Sequence, residues 1–224
     1  MHVVRKRVVR LVAVGGLLTG AIGAPITLTA GTADAASCGT AIPVGSSCTL
    51  TGTLNLLAGT LTLTSPTALA WSGTSNGFNQ SLVDTTTAHQ SYTVNDATGS
   101  GAGWHVTTSA TTFTTGTAAL PNSGTFSTTG SSSSVSSATA PTAACSTGAT
   151  CLLPSNATTY PVAITTAATA PTASTIYDTS ALSGLGSITV GIGANPVGWW
   201  LTVPASAVAG TYTSTVTMQI ISGP

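Results

Sequence analysis

The chain contains no Glu at any position, and no Lys or Arg after Arg10. Beyond residue 35 its only carboxylate side chains are Asp84, Asp96 and Asp178. Phosphate backbones and anionic lipid surfaces are held by cationic side chains, which this part of the chain lacks. Nucleic-acid binding and electrostatic docking on a membrane are therefore excluded. The shortage of Glu, Lys and Arg also removes three strong helix formers, and no segment shows convincing helical periodicity.

The basic residues are instead concentrated at the N-terminus, between Arg5 and Arg10. An apolar run from Leu11 to Leu28 follows, and Ala33-Asp34-Ala35 has the small-x-small pattern of a cleavage site. This order predicts a secretory signal peptide over residues 1–35 and no membrane span after its removal. Cleavage leaves 224 − 35 = 189 residues, which suits one domain.

Four cysteines lie beyond the predicted cleavage site: Cys38, Cys48, Cys145 and Cys151. An even count in an exported chain predicts disulfides. Three connectivities are possible, and proximity favours Cys38–Cys48 and Cys145–Cys151. No pair has the C-x-x-C spacing of a zinc site, so we predict no metal centre and no cofactor.

Short segments that alternate Thr or Ser with apolar residues recur along the chain, and such alternation is typical of half-buried strands. Because Gly, Pro and Asn turns separate many such segments, we predict an all-β fold, a single-domain antiparallel β-sandwich over residues 36–224. The predicted strands are Cys48–Leu54, Thr60–Thr64, Leu69–Trp71, Ser81–Val83, Gln90–Val94, Trp104–Ser109, Tyr160–Thr165, Ser187–Ile192, Trp199–Val203 and Thr211–Ile220.

Two further features shape this prediction. Asn95-Asp96 and three alternate glycines separate two of the strands, which predicts a β-hairpin running from Tyr92 to Val106 with Trp104 packed in the core. Residues 127–150 are rich in Ser, Thr and Ala and include four consecutive serines from Ser131 to Ser134. They predict a mobile surface loop within the sandwich.

The segment from Ser91 to Val106 resembles the first signature of the WxL-type cell-wall-binding domains of Gram-positive bacteria, in which a D-x-x-G-x-G-x-G-W pattern precedes a strand. The segment from Pro204 to Pro224 is similar to the second signature, a G-x-Y strand. This sequence has Val106, Met218 and Ile220 where the family has Leu, Trp and Leu. The resemblance implies an exported protein held non-covalently on peptidoglycan at the cell surface.

Aromatic rings are the candidate binding groups, because a surface without charge would hold a glycan through ring faces and hydroxyls. Trp199 and Trp200 are adjacent, so on a strand they point to opposite faces and one of them is expected to be exposed. Trp104 and, on the last strand, Tyr212 complete the candidate set. Trp71 is a further ring that such a surface can use.

Catalysis is not expected from this chain. Gly73-Thr74-Ser75-Asn76-Gly77 matches the G-x-S-x-G pattern, but that mechanism needs a following helix and a His–Asp pair. The five-residue offset of Asp84 and His89 puts them on opposite faces of any continuous strand. We interpret the three aspartates as turn or strand-end residues, and His89 and His105 as surface or hairpin residues.

The function expected is therefore that of a cell-wall-associated protein whose partner is peptidoglycan or another neutral wall glycan. The alternative is a structural subunit that self-associates, or binds other surface proteins, to form a surface layer or filament. Its basis is the scarcity of Lys, the residue that usually protects strand edges from pairing.

Overall fold

The structure of the protein is a computed structural model, and it describes residues 38–39, 41–42, 44–169 and 171–224. The predicted signal peptide, residues 1–35, and its cleavage site lie outside the described residues. The chain divides into two units, the first ending at Leu54 and the second running from Asn55 to Pro224. In the first unit a disulfide joins Cys38 to Cys48, as proximity predicted. The predicted strand Cys48–Leu54 is wrong, because these residues form no regular structure and most are exposed.

The second unit is all-β, with one short turn of 3-10 helix at Thr87–His89 and no α-helix among its described residues. Its strands are β1 (Leu61–Thr64), β2 (Gln80–Val83), β3 (Tyr92–Asp96), β4 (Trp104–Thr111), β5 (Thr114–Thr115), β6 (Ala118–Ala119), β7 (Phe126–Thr129), β8 (Ala143–Cys145), β9 (Val162–Ile164), β10 (Thr166–Ala167), β11 (Ser174–Thr179), β12 (Gly186–Val190), β13 (Gly198–Val203) and β14 (Val216–Ser222).

These strands form three four-stranded sheets and a small β5–β6 hairpin. The first sheet has the order β1-β3-β12-β8, and the third has the order β2-β13-β7-β9. In the second sheet β4 is central, with β14 on one side and β10 and β11 on the other. All pairings are antiparallel except β10 with β4. The predicted all-β antiparallel sandwich is confirmed.

One core joins the three sheets. Its fully buried side chains include Val94 of the first sheet, Trp104 of the second and Phe126 and Trp199 of the third. Trp104 stacks on Tyr177 with ring centroids 6.2 Å apart, and its indole N–H donates to the carbonyl oxygen of Gly184 at 2.8 Å. The prediction that Trp104 is a core residue is confirmed, and its indole N–H is satisfied although no water reaches it.

The hairpin predicted from Tyr92 to Val106 is wrong. β3 pairs with β1 and β12, whereas β4 belongs to a different sheet. Residues 97–103 carry the chain from one sheet to the other, and Gly99, Gly101 and Gly103 all adopt positive φ angles in this crossing. The glycines do adopt the positive φ angles that the prediction assigned to them, but they do so in a crossover between two sheets and not in a hairpin turn.

The loop predicted over residues 127–150 also differs from the structure. Its first residues belong to β7, which pairs with β13 and β9, and its last part contains β8 and the disulfide between Cys145 and Cys151. Between them, the carbonyl oxygen of Ser131 accepts the indole N–H of Trp200 in β13. The N–H groups of Ser133 and Ser134 donate to the hydroxyl of Ser131. Strands that contain few large apolar side chains are not detected by a prediction that relies on alternation of apolar and polar residues.

The described part of the chain contains no helix with the length and hydrophobicity that a membrane crossing requires.

We predict that Gly103→Ala destabilises the protein more than Gly99→Ala does. Both glycines have positive φ, so each substitution introduces backbone strain of about 1 kcal/mol. A Cβ at Gly103 would also lie 2.6 Å from the carbonyl oxygen of Thr179, whereas one at Gly99 meets nothing within 4 Å. We expect losses of about 3 and about 1 kcal/mol in the free energy of unfolding, measured by urea denaturation. Equal losses would contradict the packing argument.

Candidate functional site

The candidate site is a groove of about 800 Å³ at one side of the sandwich. One wall is formed by residues 65–75, and another by residues 207–216. Leu201 and Val203 of β13 contribute core-facing side chains to it, and so does Met218 of β14. The groove is thus an opening into the space between the sheets.

The groove combines apolar side chains with hydroxyls and has no formal charge. Trp71 and Phe113 lie inside it, with their ring centroids 5.7 Å apart in an edge-to-face contact. Hydroxyls of Ser, Thr and Tyr line much of the remainder. None of the described residues that line the groove is Asp, Glu, His, Lys, Arg or Cys. Such a lining offers ring faces and neutral hydrogen-bonding groups to a ligand, and no acid, base or thiol.

Two of the aromatic residues that the sequence offered for binding, Tyr212 and Trp71, line this groove. Tyr212 lies in the wall formed by residues 207–216. The strand predicted to begin at Thr211 begins only at Val216, as β14, so Tyr212 lies in the segment before that strand. Its hydroxyl donates to the carbonyl oxygen of Val208 at 2.9 Å, which closes a short loop in the groove wall. The ring is half-buried, so part of it remains accessible to a ligand.

The prediction that Trp199 or Trp200 is exposed is wrong, since their exposed fractions are 0% and 5%. They do point to opposite faces of β13, but both faces are covered. Trp199 stacks on Phe126 in the core, with ring centroids 6.0 Å apart. On the other face, the indole N–H of Trp200 donates to the hydroxyl of Thr129 and to the carbonyl oxygen of Ser131, both at 3.0 Å.

The serine run therefore covers Trp200. With Trp104 also fully buried, the rings of Trp104, Trp199 and Trp200 are structural and not available to a ligand. The prediction that Trp104, Trp199 and Trp200 bind a ligand is therefore wrong, because no ligand can reach their buried rings.

A buried carboxylate fixes one wall of the groove. Asp84 follows β2 directly and has no exposed surface. One of its oxygens accepts the backbone N–H of Ala70 at 2.7 Å, and the other accepts that of Thr86 at 2.9 Å. Ala70 lies in the wall between Leu69 and Trp71, so the carboxylate holds this irregular segment in place.

His89 completes the arrangement, with its Nδ1 2.7 Å from an Asp84 oxygen. The sequence placed these two side chains on opposite faces of any continuous strand. No continuous strand joins them, because β2 ends at Val83 and residues Thr87–His89 form a 3-10 turn, and the two side chains meet. The pair supplies two of the three members of a Ser–His–Asp arrangement, but Asp84 accepts hydrogen bonds from backbone amides, and none of the hydrogen bonds described for the pair involves Ser75. Its role is to anchor the wall.

Sequence reasoning missed Asp84 as an anchor, although a signal was present. Asp-x-Thr is typical of a turn in which the carboxylate accepts the backbone N–H two residues later, as Asp84 does with Thr86. The partner Ala70, fourteen residues upstream, has no local signature.

Asp96 and Asp178 were predicted at turns or strand ends. Asp96 ends β3 and accepts the N–H of Thr98, whereas Asp178 lies within β11 and accepts the N–H groups of Ala157 and Thr158.

The charge state of Asp84 makes the wall sensitive to acid. Burial acts to raise the pKa of this carboxyl, but the hydrogen bonds from Ala70, Thr86 and His89 lower it by more, so the pKa lies below its ordinary value. A depressed pKa means that the folded state favours the carboxylate. Its contribution to stability is complete above the ordinary pKa of about 3.9 and is lost as the pH falls through the depressed value.

We predict that Asp84→Asn lowers the free energy of unfolding at neutral pH by about 2 to 3 kcal/mol, because an amide cannot accept hydrogen bonds at both positions. The loss of stability below about pH 4 should become shallower in the variant. Urea denaturation across a pH series measures both effects. The control is Asp96→Asn, which removes a carboxylate whose side-chain hydrogen bonds, among the described residues, come only from Thr98 two residues later. An unchanged acid profile in Asp84→Asn would contradict the proposed anchor.

No family model matches the chain, and neither a curated protein nor a solved structure matches it. The two segments that resemble the WxL-type signatures lie on adjacent strands, since β14 pairs with β4 from Val216 opposite Ala110 to Ser222 opposite Trp104.

Proposed function

We propose that this is an exported cell-surface protein that is retained non-covalently on the cell wall through a neutral glycan bound in the groove. The observation that carries the proposal is the groove itself, which joins accessible aromatic surface and hydroxyls without any charged side chain among its described lining residues. The ligand class that we propose is peptidoglycan or another neutral wall glycan.

The chemistry of a sugar ring suits this lining. A pyranose has an apolar C–H face, which packs on an aromatic face, and a rim of hydroxyls, which exchange hydrogen bonds with neutral donors and acceptors. Tyr212 offers a ring on one wall and Trp71 on the other, and the hydroxyls of Thr74 and Thr213 lie among the lining residues. The rings provide contact area, and the hydroxyls and backbone groups orient the ligand.

The cysteines support a location outside the cytoplasm. Both disulfides are formed, and every one of the four cysteines is used. Disulfides persist in oxidising compartments and are rare in the cytosol. This agrees with the signal peptide that the sequence predicts and with the WxL-type resemblance.

A second candidate function is a subunit that assembles with copies of itself at the cell surface. A specific observation favours it: the apolar side chains of residues 44–57 are almost fully exposed, among them Leu54 at 87% and Leu56 at 80%. Exposed apolar side chains in series mark an interaction site.

We predict that Tyr212→Ala weakens retention on purified peptidoglycan about tenfold, since loss of one stacking ring costs roughly 1.4 kcal/mol. Tyr212→Phe should retain most of the affinity, because the ring face remains. Co-sedimentation with peptidoglycan at increasing concentrations measures the dissociation constant.

The matched control for Tyr212→Ala is Phe78→Ala, which removes an exposed ring that does not line the groove. It should bind like the unmodified protein. The proposal fails if the unmodified protein is retained no better than an unrelated exported β-sandwich, or if both alanine variants lose affinity equally.

We also predict that retention depends little on ionic strength. The exported chain has no Lys, Arg or Glu, so salt has almost no charge pairs to screen. Raising NaCl from ~0.1 M to ~1 M should change the dissociation constant less than about twofold. A loss of binding at high salt would show that charged groups hold the protein on the wall.

A further inference from the structure

One six-residue sequence occurs twice in the chain. Ala-Thr-Ala-Pro-Thr-Ala stands at residues 138–143 and again at residues 168–173. The first copy leads into β8 and the second into β11. A proline has no backbone N–H and keeps the residue before it extended, so each copy is a break in the regular strands. We call residues 138–143 the first Thr-Pro segment and residues 168–173 the second Thr-Pro segment.

The first Thr-Pro segment is held by its backbone and exposes one threonine. The N–H of Gly130 donates to the carbonyl oxygen of Thr139 at 2.8 Å, and the N–H of Thr139 donates to the hydroxyl of Ser137 at 3.2 Å. A Cβ at Gly130 would collide with the backbone of Thr139 and Ala140, so the two stretches of chain touch there. The side chain of Thr139 is nevertheless exposed. The fold thus fixes this residue and leaves its hydroxyl accessible.

The second threonine of the same segment is enclosed. Thr142 is half-buried, and its hydroxyl accepts a hydrogen bond from the side-chain amide of Asn195 at 3.1 Å. Its N–H donates to the carbonyl oxygen of Asn195 at 2.9 Å, and its own carbonyl oxygen accepts the N–H of Gly191 at 2.8 Å. Every polar group of Thr142 is therefore engaged inside the protein.

In the second Thr-Pro segment both threonines are exposed. Thr172 corresponds to Thr142 in the repeat, and Thr169 corresponds to Thr139. Among the residues that the structure describes, none hydrogen-bonds to the hydroxyl of Thr169, Thr172 or Thr139. The neighbours of all three along the chain are Ala or Pro, whose small side chains leave room around each hydroxyl.

The serine run differs from these three threonines although it has more hydroxyls. The hydroxyls of Ser131 and Ser133 are 3.1 Å apart, and those of Ser134 and Ser136 are 3.4 Å apart, so they hydrogen-bond to one another. The hydroxyl of Ser131 also accepts backbone N–H groups. An enzyme that uses a serine of this run has to break contacts that hold the cover of Trp200.

The surface of this protein has a need that attached sugars would meet. The second unit has no Lys, Arg or Glu, and of its three aspartates Asp84 and Asp96 are buried and Asp178 is half-buried. Proteins with so little charge at their surface associate and precipitate readily. Neutral groups must keep such a chain in solution, and covalently attached sugars are bulky, neutral and strongly hydrated.

We propose that the exported protein carries O-linked sugars on Thr139, Thr169 and Thr172, and none on Thr142. Segments of exported proteins that combine Ser or Thr with Pro are typical carriers of such sugars. The inference goes beyond glycan binding in the groove and rests only on export, since none of the three threonines lines the groove.

The donor in this reaction is a lipid-linked glycosyl phosphate, used by a transferase of the exporting membrane. A bond forms between the threonine Oγ1 and the anomeric carbon of the sugar, and the bond from that carbon to the phosphate oxygen breaks. The bonding electrons leave with the phosphate, and the hydroxyl proton passes to a base of the transferase. Because Oγ1 has to come within about 3.5 Å of the anomeric carbon, an exposed hydroxyl reacts and an enclosed one does not.

The test is mass spectrometry of the protein that its own cells export. Trypsin does not cut the exported chain, which has no Lys or Arg, but chymotrypsin cuts after aromatic residues and leucine. After reduction it releases residues 127–152 and residues 153–177 as separate peptides, each with one Thr-Pro segment. Both peptides should show mass increments of whole sugar residues. Electron-transfer fragmentation should place them at Thr139 in the first peptide and at Thr169 and Thr172 in the second.

Substitutions within the first segment provide a matched comparison. Thr139→Val keeps the shape of the side chain and should abolish the increment on peptide 127–152, whereas Thr139→Ser keeps a hydroxyl and should retain it. Thr142→Val removes the other hydroxyl of the same segment and should leave the increment unchanged. The fragment spectra of the parent protein report on Thr142 without any substitution, so the comparison does not depend on how that variant folds.

Three results would overturn the proposal: an exported protein whose mass is that of its amino acids alone, equal occupancy of Thr139 and Thr142, or sugars confined to the serine run. A variant with Val at Thr139, Thr169 and Thr172 separates this inference from the proposed function. It should lose every increment and still be retained on peptidoglycan like the parent protein, because the groove is unchanged.

Discussion

Trp199 connects the parts of the molecule on which the groove depends. Its ring stacks on Phe126 in the core, and its indole N–H donates to the carbonyl oxygen of His89 at 3.0 Å. Its own carbonyl oxygen accepts the N–H of Asp84 and the indole N–H of Trp71, each at 3.0 Å. The buried carboxylate and the ring inside the groove are thus tied to one residue of β13. A change that moves Trp199 shifts both groove anchors together.

Threonine limits how much of this fold is visible in the sequence. Large apolar residues are scarce, and Thr fills core positions instead: Thr107, Thr108, Thr128 and Thr129 are all buried. Both faces of β4 are covered, so its polar side chains do not mark a solvent-exposed face. Strands with Leu alternation, such as β1 and β2, were predicted within a residue or two. β7 and β11 were not, because buried Thr and Ser read as solvent-facing.

The candidate site was predicted only in part, and the reason is distance along the chain. Tyr212 was identified as a candidate ring because it is aromatic and belongs to a segment with a clear two-residue period. Trp200 was misjudged because its cover, the serine run, lies about seventy residues upstream and has no local sign of packing. The Asp84–His89 contact was missed for another reason, a single 3-10 turn that strand periodicity does not reveal. The sandwich class was predictable because it follows from composition and turns alone.

The glycine crossing between β3 and β4 also sets the order in which the protein can fold. Because it sends β4 into another sheet than β3, the long central strand finds no partner among its immediate neighbours. β4 pairs instead with β11 and β14, and the contact between Ser214 and Thr111 spans 103 residues. Closing such long loops is slow and leaves strands unsatisfied until distant segments arrive. The side of β4 that faces β14 therefore stays unpaired until residues 216–222 reach it, so this sheet is completed only when segments more than a hundred residues apart meet.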